Sequence, residues 1–553
     1  VDSPTNNFAT LNPISGEGSN ALSEGNLKVA NVSGGASGWT ETAPSTFILP
    51  TTGKWYWEWQ LVDCAGEVSQ GSVIATATNS IGAGTSGILD LRTNNGSAGT
   101  IGLDGTDNVQ TGLAVAAEGD IFAVAVDCVN ETFQGYLNGS AFGTSVDYSG
   151  VASNKKDNLV FRPMVTSSGH NVTFIANFGQ DSSFAGTKTA QGNQDSNDIG
   201  DFYYTPPTDF LALCTSNLPE PAVTPSEHFN TVLYTGTGSS RSVTGVGFQP
   251  DMLYIKVRSE SQWGDLYDAV RGDDYSLYPQ DVSAEETRTD GLTSFDSDGF
   301  SFGSGWVDVN KDTATYVAWN WKANGSGSAN TEGSINTTAT SANVDAGFSI
   351  VTASGAGSNG TFGHGLSKAP EMLIRKTRNT ADNWGVYHID VGNDKILGLN
   401  QTAAESTNSV WGNTTPTSDV FTMAPGSNDW VVYCFHSVDG YSKVGSYEGN
   451  ADDDGTFVYT GFQPAFLLIK SAVHTESWHI WDNKRWTRDG NPNQNALVPN
   501  TSAAEVGAST PYNIDFLSNG FKLRDDHDLS NGDGDTHIYL AFAETPFKYS
   551  NAR

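Results

Sequence analysis

Residues 247–257 read GFQPDMLYIKV, and residues 461–471 read GFQPAFLLIKS. The second stretch is the first written again, a Gly-Phe-Gln-Pro turn followed by a short apolar run. Proline fixes the turn, and an apolar run of strand length bounded by turn residues reads as a buried strand. A looser copy lies between them, Lys368-Ala369-Pro370 followed by EMLIRKT. Beyond each copy comes a tryptophan (Trp263, Trp384, Trp478) and then a small acidic cluster (Ser283–Thr287, Ala403–Thr407, Ser502–Val506). A strand around Phe300, Phe421 or Phe521 follows, and then a closing strand, Tyr316–Trp319, Val432–Phe435 or Tyr539–Phe542. Ordered features recurring in three copies define a repeat. The step from Pro250 to Pro370 is 120 residues and that from Pro370 to Pro464 is 94. The excess falls in residues 323–343 (ANGSGSANTEGSINTTATSAN), a Gly/Ser/Thr linker by composition. No such linker separates copies two and three, so those two are expected to pack as a pair joined through Gly440–Asp454.

Upstream the strand signals continue. Lys54–Leu61 (KWYWEWQL) alternates, with Trp55, Trp57, Trp59 and Leu61 on one face and Tyr56, Glu58 and Gln60 on the other, the period of a half-buried strand. Glu58 is therefore expected to face solvent. Ile121–Asp127 is apolar on both faces and reads as a central strand, and Asn138-Gly139 closes the strand Glu131–Leu137 with a tight turn. The chain has 553 residues, with 61 Gly and an aromatic share of 11%, which suits turns and strands rather than helices. An all-β fold of tandem antiparallel sandwiches, SPRY- or jelly-roll-like and joined by short linkers, is expected. Acids outnumber bases 62 to 28, a net charge of −34. Phosphate backbones and anionic lipid need clustered Lys and Arg, so nucleic acid and membrane insertion are excluded as partners. Opening at Val1 rather than Met predicts a processed product or part of a longer protein. Cys64, Cys128, Cys214 and Cys434 are too widely spaced for a zinc site or a disulfide scaffold, and sit beside apolar runs as buried thiols would.

The order GKWYWEWQL, GDIFAVAVD, FQGYLNG, FRPMV and VTFIANFGQ resembles the SPRY family, concanavalin-like sandwiches that bind partners without catalysis. The opening SPTNNFATLNP and the stretch YYTPPTDFLALCTSNLPEP resemble the flanks of SPRY units in marine bacteriophage tail and fibre proteins. The region from GFSIVTASGAGSNGTFGHGL to FAETPFKYSNAR is similar to an uncharacterised C-terminal module of phage tail proteins. The expected organisation is a SPRY-like sandwich over 1–205, a Pro-rich linker over 206–228 and repeat 1 over 229–323. A linker over 324–343, repeat 2 over 344–445 and repeat 3 over 446–553 complete it. The four sandwiches are expected in series, as a rod.

Motifs for chemistry are few. Gly355–Gly360 spells GxGxxG, but no helix start follows to bring amides to a pyrophosphate. Arg271-Gly272-Asp273 spells an adhesion tripeptide that the other copies lack. Glu58 has no partner acid at position 56 or 60, so a two-carboxylate glycosidase site is not expected there. Asp452, Asp453 and Asp454, with Asp533 and Asp535, place hard oxygen ligands on Gly-rich loops, the chemistry calcium needs. Ca2+ is the one cofactor candidate, and none is required. For ligand binding the repeats act as a filter, because a tryptophan shared by all copies serves the scaffold. Trp263, Trp384 and Trp478 are accordingly expected in the core. Trp411, Trp481, Trp486 and Trp306 occur once. The segment Trp481–Asp489, with Arg485, Trp486 and Asp489, is expected to be a loop where rings and planar polar groups hold sugar.

These readings predict a non-enzymatic virion protein, the distal part of a tail fibre or similar appendage binding a host-surface glycan or receptor, alongside other virion proteins. A homotrimer is expected. The alternatives are a capsid-attached or head-decorating fibre of mainly structural role, a polysaccharide depolymerase, and a secreted lectin.

Overall fold

The computed structural model describes residues 6–14, 22–33, 40–41, 43–64, 69–76, 89–94, 97–103, 106–151, 156, 159–165, 171–355, 357, 359–424, 426–485, 491–506 and 512–550. The chain is all-β and divides into two compact units, Val1–Glu220 and Pro221–Arg553.

In the first unit two antiparallel sheets form a sandwich. Lys54–Cys64 lies at the centre of one sheet, between Asn171–Asn177 and Ile121–Asp127. Trp55, Trp57 and Trp59 are buried, and so are Tyr56, Glu58 and Gln60. The strand's alternation therefore does not mark a wet face. The second face is covered by the chain after Asn177, which returns over it and lays Leu211–Ala212 parallel to Trp55–Tyr56. The expected linker from 206 is thus packed into this unit as far as Glu220, with Cys214 fully buried and bridged to Phe8. The Asn138-Gly139 turn has both residues at positive φ, as a two-residue hairpin matching strand twist demands.

The second unit contains three sandwiches with one wiring. In each main sheet an opening strand (Phe229–Thr235, Phe348–Ser354, Ser442–Glu448) pairs with the closing strand (Thr315–Trp321, Asp429–Phe435, Thr536–Pro546). The closing strand pairs with the repeat strand (Met252–Val257, Met372–Thr377, Phe462–Ser471). That strand in turn pairs with the next one along the chain (Gly264–Asp268, Gly385–His388, His479–Asp482). A small second sheet closes each sandwich over its own apolar core. The third sandwich begins at Ser442, so a boundary at 446 falls inside its opening strand. The Gly/Ser/Thr stretch also has fixed structure, since Ala339–Asn343 pairs with Phe348–Ser354 as an edge strand and Ser328 exchanges backbone bonds with Thr340.

These modules are not in series. Glu285 N–H bonds Arg378 C=O at 2.8 Å, Glu405 N–H bonds Ala472 C=O at 2.7 Å, and Glu505 N–H bonds Arg258 C=O at 2.9 Å. The three bonds use one repeat position and run from module 1 to 2, 2 to 3 and 3 to 1, so the modules close a ring. A fourth core on its axis draws Tyr254, Ile374 and Leu468 from equivalent positions and surrounds an apolar cavity of about 60 Å3. The rod expected from the sequence is, within this unit, a pseudo-threefold ring made by one chain.

Candidate functional site

Ring formation explains most residues singled out by repetition. Trp384 and Trp478 are buried, and their indole N–H groups reach the preceding module, to Tyr278 C=O at 2.9 Å and Gly398 C=O at 2.8 Å. Trp263 is not their equivalent. Strand register places Gly264 at that position, and Trp263, one residue earlier, is 38% exposed. The acidic clusters are clamps. Glu285 receives Arg378 through two bonds at 2.9 and 2.8 Å, and Glu505 receives Arg258 at 2.6 and 3.1 Å. At the remaining seam position 472 is alanine, and Glu405 pairs with Lys395 of its own module.

The segment proposed for sugar binding is largely interior. Trp481 lies on the strand His479–Asp482 at the position of Tyr267 and Tyr387, is 1% exposed, and donates to Tyr512 C=O at 3.0 Å. Arg485 is buried too. Its Nε bonds Asp482 at 2.5 Å, one terminal nitrogen bonds Ile480 C=O and another Glu505. Arg271 makes the same set with Asp268, Leu266 C=O and Glu285. The repeated Asp-x-x-Arg at 268–271 and 482–485 was the sequence signal for this scaffold role. Burial of Arg271 also removes Arg271-Gly272-Asp273 as an adhesion ligand. Trp411 is 1% exposed in the core of module 2. Trp486 and Asp489 lie outside the described residues.

The acidic loops do meet. Gly449 and Asp533 form a bridge, and Ala451 N–H bonds Asn531 C=O. Their carboxylates nevertheless turn to other side chains: Asp454 to Arg524 at 2.8 Å and Lys522 at 3.2 Å, Asp535 to His474 at 2.9 Å. Asp452 accepts the backbone N–H of Asp454. Among the described residues, Asp452, Asp453, Asp454, Asp533 and Asp535 make no cluster of three metal-ligating side chains. The GxGxxG spelling ends in the strand Gly360–Gly363, so it opens no helix. Cys214 and Cys434 are buried free thiols and Cys128 is half-buried, whereas the Cys64 side chain lies outside the described residues.

What remains partly accessible is the rim of a cluster in module 1, in which Trp263 is 38% exposed and Tyr278 is buried. Trp306 stands just before the four-residue helix Val307–Asn310, and the Arg288 guanidinium lies 3.8 Å over its ring. Arg288 Nε donates to Tyr278 Oη at 3.2 Å, and Tyr278 donates to Glu286 at 3.1 Å. Trp263 packs edge-on to Tyr278 with ring centroids 5.0 Å apart. Beneath them the indole N–H of Trp306 lies 3.3 Å from both oxygens of Asp265, which also accepts from Ser276 and Tyr267. Asp265 is fully buried, and burial reinforced by nearby Asp308 pushes its carboxyl up to about 7. Burial pushes Asp308 up to about 6, against the opposing hydrogen bond from the Trp263 backbone N–H. The Asp265 position is Gly385 and His479 in the other modules, so this cluster belongs to module 1 alone. Of the single-copy tryptophans, Trp306 is the one described residue that keeps a partly open ring.

Fold and site together define a multi-sandwich β protein with an aromatic, charge-rimmed surface cluster. The chain belongs to the family described as Domain of unknown function (DUF7483), which matches residues 224–546. No curated protein matches it. Similar solved structures include the SPRY domain of human HERC1, 13% identical with a TM-score of 0.23, covering 32% of this chain and 95% of that one. The TRIM65 PSpry domain is 15% identical with a TM-score of 0.23, covering 31% and 92%. Peanut lectin with a 9mer peptide is 15% identical with a TM-score of 0.19, covering 28% and 92%. At such TM-scores the likeness says nothing of function. None of these descriptions names a virion protein, so the phage reading rests on the sequence resemblance alone.

Proposed function

We propose that this chain is a non-enzymatic binding protein of a virion appendage, the distal part of a tail fibre, and that module 1 holds a host-surface glycan. The observation that carries the binding role is the Trp263–Tyr278–Arg288–Trp306 cluster, present in one module of three. A sugar ring can stack its apolar face on an exposed aromatic ring, here that of Trp263, and the rim of Arg288 and Glu286 offers both donors and acceptors for hydroxyls. The ring beneath is a rigid scaffold, so the cluster is held in place before ligand arrives, which lowers the ordering cost of binding. The two raised carboxylates invite a depolymerase reading, but Asp265 is sealed under Trp306 with three donors on it, out of reach of a glycosidic bond.

The test is a glycan array probed with the intact chain and with Trp263→Ala and Trp306→Ala. Retained signal in both variants refutes the site. A blank array with the intact chain refutes glycan binding. Shortening of polysaccharide incubated with the chain would replace the reading with a hydrolytic one.

A further inference from the structure

Module 2 contains a charge that the other modules lack. Arg375 lies on the strand Met372–Thr377 where modules 1 and 3 have Ile255 and Ile469, both fully buried in their sandwich cores. Its guanidinium sits 4.4 Å from the ring centroid of Trp430 and 5.9 Å from that of Trp411. Gly385 makes the room, since a Cβ there would come within 2.8 Å of Arg375 Nε. The Arg375 side chain is 11% exposed, and the nearest acid in an ion pair with it is Asp382, 3.9 Å away and itself 43% exposed. Arg375 Nε and Trp411 Nε1 are both buried and without a hydrogen-bond partner among the described residues.

That arrangement is unlike the other interior arginines of this unit. Arg271 and Arg485 each hold an aspartate at 2.5 Å and a glutamate as well. A buried guanidinium without a close carboxylate is costly, because attraction in the interior no longer offsets lost hydration. Burial accordingly lowers the Arg375 pKa to about 10. An isoleucine would fill the position without that cost, as it does twice in this chain.

We infer that Arg375, flanked by Trp411 and Trp430, is an anion site that takes a carboxylate. The planar fork of arginine matches a carboxylate with two parallel hydrogen bonds. A ligand carboxylate enters from the exposed edge, where it displaces the loosely held Asp382. The site is in module 2 and is independent of the module 1 cluster. Trp411, singled out because it occurs once, is on this view a wall of the site rather than an open stacking platform.

The experiment follows thermal unfolding of the full chain at constant ionic strength during titration with sodium formate, sodium glucuronate and, as the uncharged control, glucose. A saturable rise of roughly 3 °C is expected once a carboxylate reaches about tenfold over its Kd. Arg375→Ile installs the residue of both sister modules, so it should fold, and it should abolish the rise. Response to formate alone assigns the site to small free carboxylates; response to glucuronate assigns it to acidic sugars. No saturable response, an equal response in Arg375→Ile, or an equal effect of glucose overturns the inference.

Discussion

Replacing Glu505 by alanine should break the ring at the one seam that no peptide bond crosses. Modules 1 and 2, and 2 and 3, are continuous in the chain, whereas module 3 meets module 1, among the described residues, through side chains and one backbone bond. At that seam Glu505 accepts two bonds from Arg258 and contacts Arg485, with side-chain exposures of 10%, 19% and 0%. Lys256 Nζ also crosses to Thr501 C=O at 2.7 Å, and the Trp319 indole N–H to Asp482 at 3.0 Å. Glu505→Ala leaves two guanidiniums short of their shared counter-ion, one of them fully buried, and removing one partner of a buried pair costs about 3–5 kcal/mol. The chain supplies its own control. Glu405 has the same repeat position but pairs with Lys395 at exposures of 21% and 35%, and such pairs contribute about 0–1 kcal/mol. Urea unfolding of the full chain at pH 7, followed by tryptophan fluorescence, should show a large drop in midpoint for Glu505→Ala and little change for Glu405→Ala. Burial opposes ionisation of Glu505, but Arg258 and Arg485 prevail and hold its pKa below the ordinary value. Its contribution is therefore present above the unfolded pKa and lost as pH falls through the folded one, so the gap between wild type and Glu505→Ala should close in acid. Equal costs at the two positions, or a gap that does not narrow as pH falls, would refute ring closure through this pair.

Trp384→Ala, which removes a fully buried indole hooked into module 1, should cost about 3–5 kcal/mol, while Trp263→Ala should change stability by less than about 1 kcal/mol; chemical denaturation of both variants checks the register assignment. Glu58 is pushed up to about 7 by burial, against donors from Tyr203, Tyr204, Tyr56 and Asn177. Its folded pKa is thus raised, so its contribution is complete below the unfolded value and lost as pH rises through 7. The melting temperature of wild type relative to Glu58→Gln should fall between pH 5 and 8, and a constant difference would contradict the shift. Because Asp454 is tied to Arg524 and Lys522 and Asp535 to His474, 5–10 mM calcium should leave the melting temperature where EDTA leaves it, and a saturable rise would return Ca2+ to the 449–454 and 531–535 loops.

Much of the fold was legible because strand signals are local. Alternation, apolar runs and turn residues showed the β class, and GFQP followed by an apolar run showed the threefold repeat. The sequence also marked the acidic clusters and the tryptophans that recur. It could not say what they contact, since Glu285 and Arg378 are 93 residues apart and meet only where modules 1 and 2 pack together. The repeat filter failed at single positions for a related reason. Trp263 aligned with Trp384 and Trp478 by spelling, but a one-residue offset turns a strand residue to the opposite face, and only pairing register reveals that. Glu58 read as solvent-facing because alternation describes one sheet and is blind to a later segment laid over it.

By itself, then, the sequence determined the β class, the repeat count and the absence of familiar catalytic motifs, all properties of short windows. Tertiary structure alone decided that the repeats form a ring rather than a rod, that Trp481 and Arg485 are interior while Trp263 and Trp306 reach the surface, and that Arg375 is buried without a close counter-charge. These depend on which distant faces are brought together, and burial, pairing and exposure are properties of that assembly.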